Sequence, residues 1–162
     1  MQEIPCLIPL DRIYEEIRNI TLQPIPDGSG SAHGDRGTEG WITGLEMARL
    51  HGPGAMYAAD YPHLRLAIEE LLTGIGRQSI HQIMVNRLAP HSALDKHSDA
   101  APLYSRWHLP IVTNPDVEYW DELNAEMHMR PGIWYGPIPY TNMHSVHNRS
   151  KFSRVHVVVD LE

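Results

Sequence analysis

HQIMVNRLAPHSALDKHSDAAPLYSRWHLPIVT, residues 81–113, changes character twice. Its ends, His81–Leu88 (HQIMVNRL) and Arg106–Thr113 (RWHLPIVT), alternate side-chain character with a period of two, as half-buried strands do. Its middle, from Asn86 to Arg106, carries a histidine and an aspartate two residues apart, His97 and Asp99. In extended backbone such residues point the same way, with alpha carbons roughly 6 to 7 Å apart, so an imidazole and a carboxylate can close on one ion. Two nitrogens and one carboxylate on one face of iron(II) leave its opposite positions open to oxygen and a co-substrate. The second nitrogen must then come from elsewhere in the chain.

Downstream the period of two persists. Val117–Met129 reads as strand with a hairpin connection at Asp121–Asn124, and Gly132–Ile138 and Arg154–Leu161 follow as further strands. Upstream the pattern is helical. Ile13, Ile17 and Ile20 predict a short amphipathic helix over Leu10–Ile20, and Trp41–His51 reads as a second. A third spans Tyr61–Gly74, with Leu64, Ala67, Ile68, Leu71 and Leu72 on one face and Gly74 as its stop. Short strands after a helical start predict a mainly β chain, a sandwich or jelly roll with helices outside it. At 162 residues it is one domain, with residues 1–80 a helical and loop part and 81–162 the β core.

The formal net charge is -7, and nucleic acid is disfavoured as a partner because no basic stripe is present. A single cysteine, Cys6, excludes an internal disulfide and a zinc site built on several thiolates. The opening residues lack the basic start and apolar run of a secretory signal, and no apolar stretch reaches spanning length, so no membrane partner and a cytoplasmic location are expected. Residues 21–40 are rich in Pro, Gly, Ser and Asp. They contain a second His-x-Asp, His33-Gly34-Asp35, in a context that reads as solvated loop, and Asp27–Gly40 is a candidate lid.

His144 is the best candidate for the second nitrogen, with His147 its competitor; the two are an odd number apart and cannot share a strand face. Ten residues after His144 stands Arg154, whose guanidinium can grip a carboxylate with two hydrogen bonds. A turn at Arg149–Ser153 is expected to return the Arg154 strand antiparallel beside His144. Arg154 and His156 share one face of that strand, and Val155, Val157 and Val159 the other. Arg106 and His108 likewise face one way, and Arg106, between Tyr104 and Trp107, reads as an inward arginine with a partner.

RLAPHSALDKHSD, RWHLPIVTNPDVEYW and MRPGIWYGPIPYTNMHSVHNRSKFSRVHVVVDL, in this order from about Gln82 to the end, resemble the aspartyl/asparaginyl β-hydroxylases. These are iron(II)- and 2-oxoglutarate-dependent dioxygenases with a double-stranded β-helix (cupin-like jelly roll) fold. The resemblance implies that His97, Asp99 and His144 ligate iron and that Arg154 holds the distal carboxylate of 2-oxoglutarate. Arg106 and His108 would line the co-substrate and substrate side, with Asn86 near the co-substrate. Some members carry glycine in place of the carboxylate ligand; this sequence keeps Asp99, and it departs from the family in His147. The implied reaction turns 2-oxoglutarate into succinate and CO2 and hydroxylates an amino-acid side chain, with ascorbate as reductant in vitro. The substrate is a free amino acid or an exposed Asp or Asn of a peptide or protein, and Trp134, Tyr135, Tyr140 and Asn142 can face it or belong to the core. Two alternatives stand beside this: a metal-dependent cupin isomerase or hydrolase, for which no glutamate follows His97, and a non-catalytic cupin-like binding module.

Overall fold

The computed structural model describes residues 1–25, 44–51, 60–76, 79–98, 105–138 and 141–162. In chain order the elements are β1 (Gln2–Pro5), α1 (Leu10–Ile17), β2 (Gln23–Pro24), β3 (Leu45–His51), α2 (Pro62–Ile75), β4 (Ile80–Leu88) and β5 (Ser92–His97). Then follow β6 (Ser105–Val112), β7 (Val117–Asp121), β8 (Ala125–Met127), β9 (Ile133–Ile138), β10 (His144–Asn148) and β11 (Arg154–Leu161). Asp99, Trp41, Tyr140, the His33-Gly34-Asp35 pair and the candidate lid at Asp27–Gly40 lie outside the described residues.

Strand β11 shows how alternation builds the layers. Val157, Val159 and Leu161 are buried on one face, and Arg154, His156, Val158 and Asp160 are buried on the other. It runs antiparallel between β4 and β6, at the centre of a seven-stranded sheet ordered β1-β9-β6-β11-β4-β3-β2. A four-stranded sheet, β5-β10-β7-β8, covers the inner face. Leu45, Leu88, Val117, Tyr119, Tyr135, Ile138 and Val146 form the apolar cluster of that inner side. This is the mainly β jelly roll expected from the sequence.

On the outer face Val157, Val159 and Leu161 join Ile83, Val85, Trp107, Leu109 and Trp134 in a second cluster. Ile13 and Ile17 of α1 and Leu64, Ala67, Ile68 and Leu71 of α2 close over it. Each of these six is at most 3% exposed, and at roughly 1.5–3 kcal/mol per buried large aliphatic side chain their burial is what keeps the helices on the sheet. The N-terminus of α2 is held by the other helix. Glu16 accepts the backbone N–H groups of His63 at 2.8 Å and Leu64 at 3.0 Å, two donors that an unfinished helix leaves bare. Glu16→Ala is therefore expected to lower stability by about 1–2 kcal/mol in urea denaturation; a loss below a few tenths would show that water replaces the carboxylate. The stop of α2 is Gly76 rather than Gly74. Gly76 has φ +68, and its N–H bonds back to Leu72 and Thr73.

Two further expectations change. Of the helix expected over Trp41–His51, the described part, Leu45–His51, is strand β3, paired antiparallel with β4 from Leu45↔Leu88 through Met47↔Asn86 to His51↔Ile83. Leu45 belongs to the inner cluster and Leu50 to the outer one, so both faces of this strand are covered and its apolar residues do not alternate cleanly. The turn at Arg149–Ser153, for its part, does not return β11 beside His144. It carries the chain from one sheet to the other. Asn148 Nδ2 lies 3.2, 2.9 and 2.8 Å from the carbonyl oxygens of Leu88, Ala89 and Phe152, which ties the turn to the end of β4. Among the described residues no helix is long and apolar enough to cross a membrane.

Candidate active site

Between the two sheets lies a cavity of about 280 Å³. Its polar wall includes Gln82, Asn86, His97, Arg106, His108, His144 and Arg154, and its apolar wall includes Leu45, Met47, Met84, Leu94 and Val158. None of the described lining residues is acidic. A chain of net charge -7 has thus gathered arginine and histidine around one interior space, which suits an anionic ligand. A larger cavity of about 490 Å³ lies between β1 and α2, but its walls contain no histidine or arginine. The chemistry points to the inner one.

His97 ends β5, His144 begins β10, and the two are register partners across the sheet. Their ring centroids are 4.4 Å apart. Each ring is oriented by its own backbone. Nδ1 of His97 donates to the Asp95 carbonyl at 2.6 Å, and Nδ1 of His144 to the Asn142 carbonyl at 3.0 Å. A carbonyl only accepts, so each Nδ1 carries the proton and the lone pair sits on Nε2, the form that binds a metal. The pair fits a soft-to-intermediate divalent ion that prefers imidazole. Among the described residues no group of three His, Cys, Asp or Glu side chains gathers, and the expected carboxylate, Asp99, lies outside them. His147 is on the other face of β10, half-exposed, with Nε2 3.5 Å from Asp95 Oδ1.

Arg154 is 3% exposed. Its Nε has no hydrogen-bond partner, and one terminal nitrogen donates to His156 Nδ1 at 2.7 Å. Burial pushes its pKa down to about 9, which still leaves it charged at neutral pH. Arg106 is treated differently. It makes a two-pronged ion pair with Asp160, Nε to Oδ1 at 2.8 Å and a terminal nitrogen to Oδ2 at 3.0 Å, and Gln82 donates to the same carboxylate. The expected partner of Arg106 is therefore Asp160. Asn86 stands in register with His156 and Met47, its Oδ1 buried with no hydrogen-bond partner.

Burial, reinforced by Arg154, Arg106 and His144 for His108 and by Arg154, His108 and His128 for His156, holds both pKa values well below 6.5. The sign follows directly. As pH falls through about 6.5 the unfolded chain takes up protons on these rings and the folded chain does not, so stability present above that pH is lost below it. The loss grows as the pH falls further below that value. Urea denaturation at pH 7 and pH 5 should show it, and His156→Leu should show about half the loss; an identical loss in wild type and variant would contradict the assignment.

The aspartyl/asparaginyl beta-hydroxylase family model matches residues 11–162. The chain belongs to that family. The match reaches well upstream of Gln82, where the recognisable motifs begin, and takes in both helices. Against curated protein sequences the chain has no significant match. Solved structures share its fold at low identity. A Pseudomonas putida prolyl-4-hydroxylase superposes with a TM-score of 0.60 at 16% identity, over 99% of this chain and 91% of its own. A viral collagen prolyl hydroxylase from Paramecium bursaria Chlorella virus-1, solved with 2-oxoglutarate, gives 0.60 at 12%, over 98% and 93%. A 2OG-Fe(II) oxygenase family oxidoreductase from Burkholderia pseudomallei gives 0.58 at 15%, over 93% and 76%. The chain thus shares the fold of these 2-oxoglutarate oxygenases, with its polar cavity between the two sheets.

Of the residues singled out in the sequence, His97, Arg106, His108, His144, Arg154 and Asn86 all line this one cavity. Trp134 and Tyr135 are core, 1% and 0% exposed, and the Tyr135 hydroxyl accepts the Arg130 N–H at 2.9 Å. Asn142 contributes its carbonyl to His144. Asp160 and Gln82 were not anticipated. The alternation of β11 already put Asp160 on the face of Arg154, and that was the available signal.

Proposed function

We propose that this β-hydroxylase family member is an iron(II)- and 2-oxoglutarate-dependent dioxygenase that hydroxylates an amino-acid side chain. The observation that carries the reading is Arg154, a buried cation with no acidic partner among the described residues, in the same cavity as two histidines whose Nδ1 atoms are both tied to backbone carbonyls. His97, Asp99 and His144 would hold the metal. Arg154 would bind the distal carboxylate of 2-oxoglutarate with Asn86 beside it, and Arg106 and His108 would line the rest of the co-substrate site. When bound, iron(II) and 2-oxoglutarate together activate O2, one oxygen atom going to the succinate formed with CO2 and the other to a substrate C–H bond.

The chain's own groups position and shield. Met47, Met84 and Val158 wall the cavity with apolar surface, which strengthens the pull of Arg154 on a carboxylate. His108, held neutral, offers a hydrogen bond without a second charge. Asp160 keeps Arg106 in one orientation and absorbs its charge, so an incoming dicarboxylate meets its strongest attraction at the Arg154 end. The substrate is either a free amino acid or an exposed Asp or Asn of a peptide or protein.

The test is succinate formation from 2-oxoglutarate with iron(II), ascorbate and air, in the presence of free amino acids or Asp- and Asn-containing peptides. Iron-dependent turnover stimulated by one substrate class establishes both the activity and its target. No succinate together with no binding of 2-oxoglutarate would replace this reading with a non-catalytic binding module. Turnover of a substrate with iron but without 2-oxoglutarate would point to a cupin isomerase or hydrolase.

A further inference from the structure

One strand supplies partners of different charge to the two arginines of the cavity. On β11, Asp160 grips Arg106 and neutralises it, whereas His156 meets Arg154 through Nδ1 at 2.7 Å. A guanidinium has no lone pair to offer, so His156 Nδ1 is the acceptor and the ring is the neutral form with its proton on Nε2. The same Nδ1 lies 3.3 Å from His108 Nδ1. We infer that His156 is a positioning residue for Arg154, an uncharged acceptor that holds the guanidinium in place while leaving its positive charge for a ligand carboxylate. The inference rests on the role proposed for Arg154 and adds the group that makes this role selective.

The alternatives at this position show why an imidazole is suited to it. A carboxylate would give Arg154 a permanent counter-ion, as Asp160 does for Arg106, and a ligand would have to compete with it. An aliphatic side chain would leave a buried N–H bare and the guanidinium free to take other rotamers. Burial and the neighbouring cation keep the ring neutral. Behind it, His156 Nε2 and Thr113 Oγ1 are both buried without a hydrogen-bond partner, beside one cavity of about 10 Å³. That volume suits one water, which can accept a hydrogen bond from Nε2–H and donate one to Thr113, bracing the ring from its far side.

The test is calorimetric titration of 2-oxoglutarate into protein loaded with Mn(II), a redox-quiet substitute for iron(II), without oxygen, for wild type and three variants. His156→Asn keeps an acceptor where Nδ1 was and should bind within about 3-fold of wild type, whereas His156→Leu and His156→Asp should each bind at least about 10-fold more weakly. Mn(II) affinity should be the same in all four. Wild-type affinity in the Leu or Asp variant would overturn the inference, and so would an Asn variant as weak as Leu, which would mean packing rather than hydrogen bonding. Thermal melting identifies an Asp variant that fails to fold, and the Leu and Asn pair then decides. If wild type itself binds no 2-oxoglutarate, the proposed role of Arg154 falls and this inference with it; loss confined to the variants leaves that role standing.

Discussion

His97→Ala and His144→Ala are each expected to weaken metal binding by roughly 100-fold or more and to abolish succinate formation. Altering only the groups that orient a metal-bound histidine costs about 10- to 100-fold, so removing the ligand itself must cost at least as much. The two substitutions should behave alike, because both rings sit at one register position of neighbouring strands and are oriented in the same way. The orienting groups are backbone carbonyls, so no neighbouring side chain can restore a lost ring. His147→Ala is the control and should leave metal affinity unchanged, its ring lying on the opposite face beside Asp95. Mn(II) titration followed by electron paramagnetic resonance reads affinity directly. Wild-type affinity in either the His97 or the His144 variant would remove that residue from the site, and a loss in the His147 variant would reopen the competition between His144 and His147.

For Arg154→Met two effects of opposite sign are expected. Binding of 2-oxoglutarate should fall by at least about 30-fold, since truncating one partner of a buried charged pair costs roughly 2 kcal/mol or more. Stability of the ligand-free protein should hold or rise. The buried guanidinium is offset by no carboxylate among the described residues, so replacing it with an apolar side chain of similar length removes an uncompensated desolvation cost. Stranding the acceptor of His156 takes back about 1 kcal/mol. Binding sites commonly hold strain of this kind, at the expense of stability. Thermal melting and calorimetry on the same preparations read both effects. A variant that is clearly less stable than wild type would mean that Arg154 serves the fold rather than a ligand.

The strands at His81–Leu88, Arg106–Thr113 and Arg154–Leu161 were legible because each is covered on its outer face by helices and on its inner face by a polar cavity. That contrast writes a period of two into the chain. The same alternation placed Arg106 with His108, and Arg154 with His156, on shared faces. β3 was illegible for the converse reason: Leu45 and Leu50 are buried on opposite faces, and a strand apolar on both sides loses the pattern that distinguishes it from a helix. The Arg149–Ser153 turn was misread because its direction depends on Asn148 reaching carbonyls about sixty residues away. Local sequence carries no trace of that bond.

Sequence alone therefore determined the two helices and the strands with a clean period of two, the shared faces of Arg106 with His108 and of Arg154 with His156, and the family to which the motifs belong, because all of these depend on short-range spacing. Only the tertiary structure decided that β10 and β11 belong to different sheets, that Asp160 neutralises Arg106, and that Arg154 meets an uncharged imidazole. Those are matters of strand register and of burial. They set which atoms touch and how much charge each retains, and they exist only once distant segments have packed together.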